Sequence, residues 1–230
     1  MSDLATGGIP QHVAIIPDGN RRWAKQHGKS TQEGHKAGYE NLISLADVAF
    51  ERGIKSLTAY TFSTENWNRT TEEVGYLMKL AAVVVKSQGE KLHRKGYRLR
   101  ILGRREGLDP KLAAGLDELE QKTKDNTAGN LNICFNYGGR ADLLQAVNVL
   151  VAAGKPAREE DISAHLSTHG LPDPDLIIRT SGEQRLSNFL IWESAYSELY
   201  FSPRLWPEFD AAELDKALAE YQKRQRNFGV

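Results

Sequence analysis

The chain reads as short apolar runs separated by longer stretches in which apolar residues return every three or four positions. Val13, Ile15 and Ile16 form the first run, and β-branched residues suit a pleated, buried surface. Pro17 closes it, because a residue without an N–H cannot continue a ladder, and Asp18-Gly19-Asn20 is turn chemistry that leads into a helix. The same logic predicts strands over 54–61, 97–102, 131–135 and 176–178, and a short one over 199–202. Between them the pattern predicts a helix ending at Gly28 and a longer one opening at Gly34-His35 and stopping at Gly53. Further helices are predicted over 72–95, over 109–124, after Arg140, over 162–169 and over 211–227. Arg98 and Arg100 alternate outward on the third strand. Strands alternating with helices of this length predict an α/β fold, a central, mostly parallel sheet of about six strands covered by helices on both faces.

The helix over 72–95 is not amphipathic in the ordinary way. Val74, Tyr76, Leu77, Met78, Leu80 and the run Ala81 to Val85 leave almost no polar face in its middle. A helix apolar all round is buried on every side or lines an apolar cavity, and a central core helix is the simpler expectation.

Length and composition add exclusions. A chain of 230 residues is expected to be a single domain, with residues 1–10 a flexible tail. Thirty basic residues balance thirty acidic ones, so no global field draws in nucleic acid or an anionic membrane, and any anion must be held by a local cluster. The single Cys134 excludes an internal disulfide and reads as a buried, inert thiol in a strand. The first residues lack a basic segment followed by an apolar core, and no apolar run reaches membrane-spanning length, so a cytoplasmic location is expected.

Four polar motifs follow predicted strands, beginning at Asp18, Phe62, Asn136 and Arg179. In a parallel sheet the strand C-termini share one edge, where open α/β sheets bind ligands, so the four motifs predict one site. Arg21, Arg22 and Arg69 make one cationic group there, Arg179 and Arg185 another. Guanidinium forks match phosphate oxygens, and two groups suit two phosphorylated ligands. Asp18 among arginines suits Mg²⁺ bound through one or two carboxylates plus substrate phosphates. Competing motifs fail. Gly28-Lys29-Ser30 has Trp23 where a phosphate-binding P-loop needs glycine. His165 and His169 enclose Leu166 where a zinc-protease helix needs glutamate, so they read as solvated helix residues.

The blocks 12–25 (HVAIIPDGNRRWAK), Gly34-His35-Lys36-Ala37-Gly38, 62–69 (FSTENWNR), 136–140 (NYGGR) and 175–209 closely resemble the cis-prenyltransferases, and within them the bacterial undecaprenyl diphosphate synthases. The motifs stand in family order and cover nearly the whole length. The resemblance implies a homodimeric, undecaprenyl diphosphate synthase-like α/β fold with an apolar tunnel. It also implies Mg²⁺-dependent condensation of isopentenyl diphosphate onto an allylic diphosphate, farnesyl diphosphate first among them, to a long Z-polyprenyl product that partitions into the membrane. By motif position, Asp18 engages Mg²⁺ and the allylic diphosphate, which Gly19, Asn20, Arg21 and Arg22 cradle with Trp23 and His35 beside it. Ser63, Thr64 and Glu65 contact substrate, with Trp67 and Arg69 completing that loop. Arg179, Arg185, Leu186 and Ser187 hold isopentenyl diphosphate, and Glu198 helps to coordinate Mg²⁺. Asn66 is the position implied for proton removal, although a neutral amide is a poor base and a diphosphate oxygen or a nearby carboxylate is a better acceptor. Thr31 stands where members often carry arginine, and the basic ending 224–229 is implied to reach the partner subunit's site.

Overall fold

A computed structural model describes residues 8–154 and 156–224. Its strands are β1 (His12–Ile16), β2 (Ser56–Ser63), β3 (Tyr97–Leu102), β4 (Gly129–Tyr137), β5 (Leu176–Arg179) and β6 (Glu198–Phe201). All of them join one parallel sheet in the order β3-β4-β2-β1-β5-β6. The helices are α1 (Asn20–Gln26), α2 (Thr31–Glu51), α3 (Thr71–Arg94), α4 (Pro110–Thr123), α5 (Gly139–Ala152), α6 (Glu159–His165) and α7 (Ala211–Gln222).

Alternation along the strands sorts the core into two layers. Val13, Ile15, Leu176 and Ile178 face a cluster with Leu42 and Leu45 of α2, Leu116 and Leu119 of α4, and Leu214 of α7. Ala14, Ile16 and Ile177 face the other way, against Tyr60, Cys134, Phe189 and Leu190. Cys134 is fully buried, and burial pushes its thiol well above the ordinary value, as suits an inert core residue.

Several boundaries differ from the sequence pattern, each for a local reason. Helix α2 opens at Thr31 rather than Gly34, because the Ser30 hydroxyl and the Glu33 carboxylate cap each other's backbone. Helix α6 covers 159–165 rather than 162–169, so His165 and His169 are exposed but do not share a helix face. Arg98 is exposed, whereas Arg100 is half-buried and donates to the carbonyls of Ser167 and His169. The continuation of α7 toward 227 and the ending 225–229 lie outside the described residues, as do residues 1–7 of the expected tail.

Helix α3 is the main correction. Only Gly89 and Leu92 of it are buried, and Val83 is 61% exposed. It is a wall, not a core helix: one face covers an apolar cavity and the opposite face is left open. Among the described residues no helix is long and apolar enough to cross a membrane.

Candidate active site

Strand β1 connects forward to β2 on one side, while β5 joins it from the other, so the chain changes direction across the sheet between them. The crevice beyond those strand ends holds Asp18 and Arg179. Gly19 makes the turn out of β1 at φ +112°, a left-handed value that side chains strain to reach, and a Cβ there would sit 3.0 Å from Leu205. Helix α1 then packs on α2 through Asn20. A Cβ at Gly34 or Gly38 would strike the Asn20 carbonyl or its side-chain oxygen, which explains two glycines one turn apart.

The Asp18 backbone is fixed by Thr180, whose hydroxyl accepts from its N–H at 2.9 Å and donates to its carbonyl at 2.7 Å. The carboxylate takes Arg179 Nη2 at 2.8 Å on one oxygen and Arg22 Nη2 at 3.4 Å on the other. The Arg179 side chain is 5% exposed and donates also to the Arg185 carbonyl and Ser187 Oγ, while its Nε has no partner. Around it Ser181, Ser187 and Asn188 all adopt positive φ, and such strain gathers where a loop must present groups to a ligand.

A second group converges on Glu73 in the first turn of α3. His35 Nε2 and Arg69 Nη1 both lie 3.0 Å from its Oε1, and Arg21 Nη1 lies 3.7 Å from Oε2. Burial raises the Glu73 carboxyl, but the hydrogen bond from His35 and the charges of Arg69 and Arg21 bring it below its usual value. Burial holds the His35 imidazole below the ordinary histidine value despite Glu73, so the ring donates its Nε2 proton while neutral. Glu183 in turn pairs with Arg22 at 3.2 Å and with Arg185. Each arginine of the two groups therefore rests on a carboxylate or carbonyl that an anionic ligand would displace.

The groups line a cavity of about 880 Å³ that includes Asp18, Gly19, Asn20, Arg21, Arg22, His35, Ser63, Glu65, Asn66, Arg69, Arg179, Arg185 and Ser187. It shares Pro17, Asn20, His35, Thr61 and Leu77 with an inner, apolar cavity of about 160 Å³ between α2, α3 and the sheet. A cationic mouth thus opens onto a hydrocarbon-lined interior. Five expected residues stand back from it. Trp23 stacks on His27. Thr64 donates to Glu65, and Trp67 Nε1 to Asn136 Oδ1. Leu186 packs in the second core layer. Glu198 begins β6, level with Leu176, and accepts from Arg224 at 2.7 Å. It lies three residues' rise, roughly 10 Å along the strands, from the level of Arg179, so one chain does not bring Glu198 and Asp18 together.

The motif at Asn136 also stays outside the mouth. Its side chain donates to the Arg104 and Glu106 carbonyls and braces the loop that carries Trp67. Thr31 is the first residue of α2 and Lys29 faces Glu33, so Arg21 is the cation available at the mouth on that side. Sequence reasoning missed Glu73, Glu183 and Thr180. The acidic first turn of α3 reads from sequence as an ordinary partner for a helix dipole. Nothing local reveals that three cations meet there.

Among the described residues no three His, Cys, Asp or Glu side chains cluster as a metal cage. Asp18, 29% exposed at the side chain, faces the mouth, while the other carboxylates lining it, Glu65 and Glu183, are engaged by Asn188 and by Arg22 and Arg185. That fits a cation brought in on phosphate oxygens and not one held by protein alone.

Comparison with known proteins gives a consistent result. The family model described as "Putative undecaprenyl diphosphate synthase" matches residues 16–229. The isoprenyl transferase of Thermotoga maritima is 50% identical, with 96% of this chain and 97% of that protein covered. The isoprenyl transferase of Lactococcus lactis is 47% identical, covering 96% and 93%. Lavandulyl diphosphate synthase from Lavandula x intermedia, solved in complex with dimethylallyl diphosphate, superimposes with a TM-score of 0.92 at 36% identity, covering 96% and 99%. The "probable undecaprenyl diphosphate synthase" of Campylobacter jejuni does so with a TM-score of 0.83 at 30% identity, covering 97% and 100%.

Proposed function

The chain belongs to the undecaprenyl diphosphate synthase family and is a prenyl-transferring enzyme, and from that premise we propose that it condenses isopentenyl diphosphate repeatedly onto farnesyl diphosphate. The product is a long Z-polyprenyl diphosphate, undecaprenyl diphosphate, the precursor of a lipid carrier for cell-wall glycans. The enzyme works in the cytoplasm as a homodimer and its product partitions into the membrane. One observation carries this reading: the cationic mouth and the apolar cavity are contiguous, sharing His35 and Leu77. A ligand with a phosphorylated head and a hydrocarbon tail is what such a pair accepts.

In each cycle the allylic C1–O bond breaks and its electron pair leaves with the diphosphate. The isopentenyl double bond then attacks C1, and a proton is lost from the adjacent carbon. The mouth supplies guanidinium donors where charge builds on the leaving group, and preorganised donors act most strongly in a site that excludes water. Asp18 would hold Mg²⁺, which when bound supplies further neutralisation of the leaving diphosphate. Arg21, Arg22 and His35 orient the allylic head, while Arg179, Arg185 and Ser187 orient the isopentenyl head. Glu65 accepts from Asn188 and Thr64; burial raises its carboxyl, but these bonds bring it below its usual value, which makes it a poor base. Asn66 gives its side-chain oxygen to the Ser63 N–H at 3.1 Å, leaving its amide N–H groups to orient substrate. We assign the departing proton to a diphosphate oxygen.

The small inner cavity favours a second reading, a short-chain Z-prenyl diphosphate synthase such as one making Z,E-farnesyl diphosphate. A non-catalytic partner subunit is disfavoured, because Asp18 and both arginine groups are in place. The test is incorporation of labelled isopentenyl diphosphate by the purified chain with Mg²⁺, followed by separation of products by length. Asp18→Asn, which keeps the side chain's shape, is expected to abolish incorporation while leaving the fold intact. Near-normal turnover in that variant defeats the assignment.

A further inference from the structure

An inner cavity of about 160 Å³ is smaller than the roughly 300–1,000 Å³ of pockets that hold a drug-sized ligand. A polyprenyl chain of many isoprene units does not fit it. Just outside lies a groove of about 740 Å³ between α3 and α4, floored by Met78, Ala82, Leu112 and Gly115. The groove and the inner cavity share two residues, Val85 of α3 and Leu119 of α4, so the wall between them is one layer of side chains thick.

The two helices touch at that wall through glycine. A Cβ at Gly89 would lie 2.8 Å from Leu119, and one at Gly115 would lie 3.1 Å from Val85. Below the wall α3 is anchored, with Gly89 and Leu92 buried and Glu90 paired with Lys122 of α4. Above it, from Thr71 to Gln88, no residue of α3 is fully buried, and Val74, Leu77, Met78, Ala81 and Val85 lean on the core with one side only. With α3 held at both ends, by Glu73 in its first turn and by Gly89 and Leu92 near its last, what separates groove from cavity is the Val85 and Leu119 side chains, and side chains can change rotamer.

We propose that the α3–α4 groove is a second hydrocarbon site, which takes the far end of the enzyme's own polyprenyl chain once that chain outgrows the inner cavity and passes between Val85 and Leu119. The proposal rests on the long-product reading above. Continuity with the inner cavity selects this occupant: a chain growing inward from the mouth meets the Val85–Leu119 wall and has the groove directly behind it. Lys79, Lys86 and Lys111 rim the groove, and their aliphatic stems can cover a chain while the charges stay in water.

The test uses the full chain with Mg²⁺, farnesyl diphosphate and excess labelled isopentenyl diphosphate, and reads product length. Ala82→Trp fills the groove from an exposed position that does not line the inner cavity. Val83→Trp, on the neighbouring exposed position outside the groove, is the control. Ala82→Trp is expected to shorten the product by several isoprene units, with the rate of the first addition within about twofold of wild type, as for a surface change. Val83→Trp is expected to leave length unchanged. A long wild-type product that survives Ala82→Trp, or that shortens equally with Val83→Trp, overturns this site alone. That is also the outcome if the groove serves a lipid surface or a protein partner. A wild-type chain that stops at a short product overturns the long-product reading and this site with it.

Discussion

Arg179 is sealed from water at the end of β5, yet its charge is answered by Asp18 and its remaining hydrogens by Ser187 and a carbonyl, with only Nε left over. Breaking a buried pair costs more than the pair contributes, because one charge stays behind without a partner. Arg179→Ala is therefore expected to lose about 3 kcal/mol in urea unfolding, and to raise KM for isopentenyl diphosphate steeply. Arg179→Lys keeps the charge but not the fork, so it is expected to recover stability in part and KM hardly at all. Asp18, Arg21, Arg22, Arg69, Arg179 and Arg185 were legible as strand-end residues from their place after apolar runs. Glu73 and Glu183 were not, since what they do depends on which distant cations arrive beside them.

At the scale of elements, glycine shows how far a helix can be read from its own sequence. Gly38 and Gly75 both sit inside helices, and propensity alone makes alanine better at each by roughly 1 kcal/mol. Their surroundings separate them: a Cβ at Gly75 meets nothing within 4 Å, whereas one at Gly38 runs into the Asn20 side chain. Gly75→Ala is expected to stabilise by about 0.5–1 kcal/mol. Gly38→Ala is expected to destabilise by about 1–3 kcal/mol and to cut turnover, because Asn20 lies at the mouth. Urea midpoints and turnover measured on the two variants together check the contrast. Helix α3 makes the same point: its apolar run marked it as unusual, but hydropathy could not distinguish a core helix from a cavity wall. Both bury or shelter the same atoms, and the difference lies in what packs opposite.

Over the whole molecule, acid is expected to act in two senses: burial raises the carboxyls of Asp142, Asp173 and Glu193, which favours the fold as pH falls, while two histidines oppose it. Burial holds His12 and His35 below the ordinary value of 6.5, His12 between Thr58 and the Pro172 carbonyl, His35 against Glu73. The unfolded chain binds those protons at a higher pH than the folded chain does. The stability they contribute is therefore fully present above about pH 6.5 and falls as pH drops through the lower, folded values. Thermal unfolding followed between about pH 7 and pH 5 is expected to show the histidine contribution as a melting temperature that falls more steeply in the wild type than in a variant lacking one of them. His12→Gln, which cannot titrate, is expected to flatten part of that slope, and an unchanged slope counts against the account.

By itself the sequence determined the alternation of strands and helices, the all-buried character of β1 and β5, and the residues able to meet phosphate. These follow from side-chain chemistry and local periodicity, which the chain carries wherever it folds. Only the tertiary structure decided the strand order that sets Asp18 beside Arg179 and the meeting of His35, Arg69 and Arg21 on Glu73. It also decided the retreat of Asn136 and Glu198 from the mouth and the exposure of α3. Those are consequences of packing between segments far apart in the chain, where distance and burial fix what a charge or an apolar face can do.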